Sequence, residues 1–135
     1  MNLEPQMKEK ISELEKKCAA LGLPSLEPTK HVGLRFQIDK TTFGTIQAEY
    51  TSDVDFCFDL HIMSEKSPAL SAFNDYLIRK GYSSGFATKI PKERSDELVK
   101  LITILRDATT AHTQHAQESE NTYAALFGRI TARFD

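Results

Sequence analysis

A chain of 135 residues has room for one hydrophobic core and not for two, so a single domain is expected. At 40% hydrophobic and 27% charged, with a formal net charge of −2, it lacks an overall field that would draw it to nucleic acid or an anionic membrane. Glu4, Lys8, Glu9 and Lys10 stand where a secretory signal would be apolar, and no apolar run approaches a membrane span. Cys18 and Cys57 sit in a helical and a strand pattern, and read as reduced thiols in a cytoplasmic protein.

Met7, Ile11, Leu14, Cys18 and Leu21 recur at steps of four and three, which predicts a helix with a narrow apolar stripe. Pro5 suits its first turn, and Gly22 suits the left-handed position past its last. Glu13 and Lys17 are in the favourable i,i+4 order for a surface pair. The stripe can pack on the chain's own sheet or on a second copy of the helix. Two prolines then stop the helix, so Leu23-Pro24-Ser25-Leu26-Glu27-Pro28 reads as an extended connector anchored by Leu23 and Leu26.

Every second residue is apolar through Val32–Ile38, Ile46–Tyr50 and Val54–Ile62, with Phe36, Phe56 and Phe58 among them. That period predicts three strands with one buried face. Arg35, Gln37, Gln47, Glu49, Asp55, Asp59 and His61 fall on the other, wet face. Short turns near Asp39–Thr42 and Thr51–Asp53 make the strands an antiparallel meander. Ser67-Pro68 caps a second helix, whose stripe is Leu70, Phe73 and Leu77 and whose end is Gly81.

Tyr82 to Ile90 reads as a fourth strand on the alternation of Phe86, Thr88 and Ile90, weakened by Gly85. A long helix starts at Pro91 or Ser95, and Leu98, Val99, Leu101, Ile102, Ile104 and Leu105 make it apolar nearly all round. From Arg106 to Asn121 the chain turns polar, either as a helix running out into water or as a bend. Tyr123, Leu126, Phe127, Ile130 and Phe134 restore an amphipathic helix. The expectation is an α+β fold of order α-β-β-β-α-β-α-α. Residues 1–110 form its domain and residues 111–135 a C-terminal helical extension.

Asp55, Cys57, Asp59 and His61 share one side of one strand, with Glu49 across the ladder, and all are metal-ligand types. Same-face neighbours along a strand are roughly 7 Å apart, so only two could reach one ion at about 2.0–2.3 Å. They read as a solvated acidic face with no metal and no cofactor. His112 and His115 stand one helical turn apart without a supporting carboxylate or thiol framework, and read as an exposed pair. The serines fall in caps and turns, and Tyr82-Ser83-Ser84-Gly85-Phe86 has one glycine, too few to cradle a phosphate. The order α-β-β-β-α superficially matches a double-stranded-RNA-binding domain. Its second helix, however, opens Ser67-Pro68-Ala69-Leu70 without the phosphate-holding lysines, so nucleic acid is not the expected ligand. The terminal helix has two readings. It folds back over the sheet, or it leaves Tyr123, Phe127, Ile130 and Phe134 exposed as a partner or self-association stripe.

Residues 11–62 resemble the class I type III secretion chaperones: an amphipathic first helix runs into Ala20-Leu21-Gly22-Leu23-Pro24-Ser25-Leu26 and then an alternating meander. The resemblance implies a small cytoplasmic homodimer that binds an unfolded segment of a secreted effector through apolar patches, with Leu23, Leu26 and Val32 as groove residues. The chain departs from that pattern in two ways: one visible strand, not two, precedes the last helix, and the net charge is less acidic. The leading expectation is therefore a non-enzymatic protein-binding module. A second is a small, for example phage-encoded, inhibitor whose acidic face (Glu49, Asp53, Asp55, Asp59) meets a basic surface. A third is a minor enzyme or metal-binding protein using Asp59, His61 or the His112/His115 pair.

Overall fold

The computed structural model describes residues 2–82, 87–114 and 120–135, with the side chains of Ala87, Glu120 and Asn121 outside that description. Among them the elements run α1 (Glu4–Ala19), β1 (Ser25–Pro28), β2 (Gly33–Gln37), β3 (Thr42–Ser52) and β4 (Asp55–Ser64). They continue with α2 (Pro68–Arg79), β5 (Ala87–Pro91), a 3₁₀ turn (Lys92–Arg94), α3 (Asp96–Gln114) and α4 (Glu120–Ala132). The strands form one antiparallel sheet in sequential order, β1 to β5. The fold is α+β with a meander sheet.

Alternation sets the register. Leu34, Phe36, Ile46, Phe56, Phe58, Leu60 and Ile62 all point inward and are buried, as the period of two requires. Between β2 and β3, the Asp39 carboxylate accepts from the backbone N–H groups of Thr41 and Thr42 at 2.9 and 2.8 Å, a turn that aspartate makes readily. The same inner face accepts Met7, Ile11, Leu14 and Cys18 of α1, Phe73 and Leu77 of α2, and Leu98 to Ala108 of α3, in one cluster. Ser67 caps α2 by accepting from Leu70 N–H at 3.1 Å, and Gly22 and Gly81 take positive φ past α1 and α2.

Two features differ from the sequence reading, and two bear on alternatives that it left open. The connector after α1 contains a fifth strand, β1, whose Leu26 stands opposite Phe36. Its prolines hid it, and an edge position tolerates them because one side of the strand needs no partner. Lys17 does not pair with Glu13; its Nζ reaches Asp96 of α3 at 2.8 Å and so ties the two helices. The polar stretch continues α3 to Gln114, while the bend or loop that could follow lies in residues 115–119, outside the described residues. Finally, α4 folds back, with its main contacts on α3 and α2. Tyr123 and Phe127 are buried in the common core, and the Tyr123 hydroxyl donates to the Ala108 carbonyl at 3.2 Å.

Three exposed carboxylates hold elements together, and each sits below the usual carboxylate range because a lysine donates to it. These are Asp55 with Lys92, Asp96 with Lys17, and Asp135 with Lys80. A carboxyl lowered on folding stabilises above its unfolded value, about pH 4, and the benefit disappears as pH falls through the folded value. The urea midpoint is therefore expected to decline as pH drops below about 4, with a shallower decline in 1 M salt, where surface pairs are screened. A midpoint flat from pH 6 to 2 would show that these ties carry nothing.

Candidate functional site

Two surfaces are candidates, and they contain some of the residues singled out in the sequence. The first is the outer face of the sheet. In β4, which is paired on both sides, Asp59 faces Gln47 on β3 and Lys89 on β5, while Cys57 faces Glu49 and Pro91. This crowding leaves Asp59 only 7% exposed, so the position read as solvated is buried. Its Oδ2 lies 3.0 Å from His61 Nε2, and its Oδ1 is buried without a hydrogen-bond partner. Glu49 is met by Lys89 at 3.5 Å and Asp55 by Lys92 at 2.8 Å. Asp53 stands exposed at the β3–β4 turn. The carboxylates expected to form an acidic contact face are thus largely matched by cations that fold beside them.

No cluster of three or more His, Cys, Asp or Glu side chains suited to a metal ion occurs among the described residues. His112 packs edge-on against Tyr123 at 5.7 Å, and His115, its expected neighbour, lies outside the described residues. Both cysteines are free and buried, and burial pushes the Cys18 thiol up to about 11 and the Cys57 thiol upward. A thiol held protonated is a poor nucleophile.

The second surface is a groove of about 670 Å³ between α1 and the sheet end that carries the β1–β2 turn. Its size falls within the range of small ligand-binding clefts. The outward edges of Met7, Ile11, Val32 and Ala48 give it an apolar floor, and Glu4, Lys8, Glu15, Lys30 and His31 give it a charged rim. Lys8 and Glu4 pair with each other at 3.1 Å, so part of the rim is self-neutralised. Tyr50 closes one end, 52% exposed, with its hydroxyl accepting from Leu3 N–H at 3.2 Å. Gly33 lines the wall, and a Cβ there would lie 2.7 Å from the Ile46 carbonyl, so the position has no room for a side chain. The turn itself is held by Thr29, whose hydroxyl donates to the His31 carbonyl at 2.8 Å.

Of the seven apolar residues expected to meet a partner, Val32 lines this groove. Leu23 and Leu26 are half-buried against the core, as are Ile130 and Phe134. Tyr123 and Phe127 are interior, because α4 packs its aromatic edge onto Tyr76, so the exposed stripe does not form. Met7, Ile11, Ala48 and Tyr50 were legible only as core positions. Nothing in their spacing says that the helix stops short of covering them completely. No family model, curated protein or solved structure matches the chain.

Proposed function

We propose that this chain is a non-enzymatic protein-binding module that holds an apolar segment of a partner protein in the groove between α1 and the β1–β2 turn. The carrying observation is the groove itself: an open cleft of about 670 Å³ with Met7, Ile11, Val32 and Ala48 as its floor. Burying a partner's side chains there supplies roughly 25 cal/mol per Å² of apolar surface removed from water. The edge strand β1 runs into the same turn, so an extended segment can also add hydrogen bonds along the sheet. The sharpest form of the reading is the one implied by the resemblance, a small cytoplasmic homodimer holding an unfolded segment of a secreted effector. The inhibitor reading loses support because Glu49 and Asp55 already have lysine partners and Asp59 is buried.

The test is co-purification from the native host with native mass measurement, repeated for Val32→Glu and for the pair Asp55→Asn and Glu49→Gln. A glutamate on the groove floor must lose its water when a partner docks, so Val32→Glu is expected to cost about 2 kcal/mol of affinity or more, roughly thirtyfold. The complex should persist at 0.5 M salt. A complex that survives Val32→Glu but is lost in the neutralised sheet-face variant would move the contact to the sheet.

A further inference from the structure

A separate groove of about 470 Å³ runs between α3 and α4, and its charge is one-sided. Three guanidiniums, Arg106, Arg129 and Arg133, line it against a single carboxylate, Asp107. That carboxylate is already used. Arg106 donates to its Oδ1 through two nitrogens at 3.1 and 3.0 Å, and Arg133 donates to its Oδ2. Arg106 is itself committed, since its Nη1 also donates to the Leu21 carbonyl at 2.8 Å. Arg129 is exposed on α4, and its side chain has no ion pair or hydrogen bond among the described residues. Arg133 keeps most of its donors and a 60% exposed side chain. Leu126 and Ile130, both half-buried, form the floor between these cations, and no aromatic side chain lines the groove.

We infer that the α3–α4 groove docks an acidic, amphipathic segment of a partner protein, its carboxylates on Arg129 and Arg133 and its apolar residues on Leu126 and Ile130. Charge complementarity selects the acid, because a chain of net charge −2 concentrates unmatched positive charge here. The apolar floor selects a peptide over a bare anion. Phe134 lies under the Arg133 guanidinium at 5.7 Å but does not line the groove, so successive bases of a single-stranded nucleic acid find no row of rings to stack on. This inference is independent of the groove beside α1.

The test uses the full chain and fluorescence anisotropy with a labelled helical peptide carrying glutamates and leucines at i,i+4 spacing, its glutamine/leucine counterpart, and an oligothymidylate. The glutamate/leucine peptide should bind in 50 mM salt and weaken at 300 mM. The glutamine/leucine peptide should bind at least about tenfold more weakly, and Arg129→Glu should cost at least about tenfold, the size of one lost close charge pair. The exposed Arg129 side chain has no ion pair or hydrogen bond to lose among the described residues, so the variant's melting temperature is expected to stay unchanged and serves as the check on its fold. The inference is overturned if Arg129→Glu binds the peptide as well as the native chain does. It also falls if inorganic phosphate at millimolar concentration or the oligothymidylate displaces the peptide completely, or if Val32→Glu abolishes binding while Arg129→Glu leaves it intact. That last result would place the peptide in the other groove and leave the main functional proposal standing.

Discussion

Phe127→Ala is expected to remove about 3–5 kcal/mol of stability, the usual cost of truncating a buried phenylalanine whose site cannot fully collapse. Phe127 is 5% exposed, with its ring edge-on to Tyr76 at 6.3 Å and tilted against Tyr123 at 6.5 Å. These three rings join α4 to α2, and truncating the middle one removes both ring contacts. Small domains have about 5–15 kcal/mol in total, and the variant should therefore sit close to unfolding. Urea denaturation followed by near-ultraviolet dichroism measures the effect. A loss below about 1 kcal/mol would mean that α4 is not docked, and the exposed-stripe reading would return.

An independent measurement bears on the same contact. Burial pushes the Tyr123 hydroxyl up to about 12 and, with Glu97 beside it, the Tyr82 hydroxyl up to about 12 as well. A phenol whose folded value is raised stabilises fully below its unfolded value near 10, and that stability is lost as pH rises through the folded value. Ultraviolet titration should therefore show late tyrosinate formation, and Tyr123→Phe should remove one late step. The same substitution forfeits the bond to the Ala108 carbonyl, about 1 kcal/mol, without removing the ring contacts.

Gly44→Val is the second large effect, a loss of about 3 kcal/mol or more, at the upper end of overpacking penalties. Gly44 lies on the inner face of β3 directly opposite Phe36. A Cβ built there meets the His61 carbonyl at 2.5 Å and Phe36 Cζ at 2.6 Å, so β4 and the ring would both have to move. The backbone carbonyl is the less forgiving neighbour, because it belongs to the β3–β4 ladder. Gly44→Ala meets the same atoms and should show a smaller shift of the same sign in thermal melts. Equal stability of native chain and valine variant would show that the β3 register is not the one described.

The alternation in residues 32–62 was sufficient to expose the sheet and its buried side, because a period of two has one solution when a single face must leave water, and the short turns made its order antiparallel. Ser67-Pro68, Gly22 and Gly81 were equally legible, since helix ends are satisfied by residues adjacent in sequence. Strand β1 was not, because prolines that forbid a helix say nothing about which strand lies alongside. The requirement for glycine at position 44 comes from Phe36, which stands opposite it across the ladder.

The functional surfaces divide the same way. Local sequence determined which residues are apolar, which face each strand shows and where helices begin, all set by steric and hydrogen-bonding rules acting over a few residues. Only the tertiary structure decided that Lys89 and Lys92 arrive beside Glu49 and Asp55, that Asp59 is buried and that α4 lies on α2 and α3. It also decided that α1 leaves a groove over Val32 and that Arg129 remains unmatched beside Leu126. Those outcomes depend on contacts between residues tens of positions apart. Coulomb attraction and burial act through space, and no short-range pattern along the chain carries that distance.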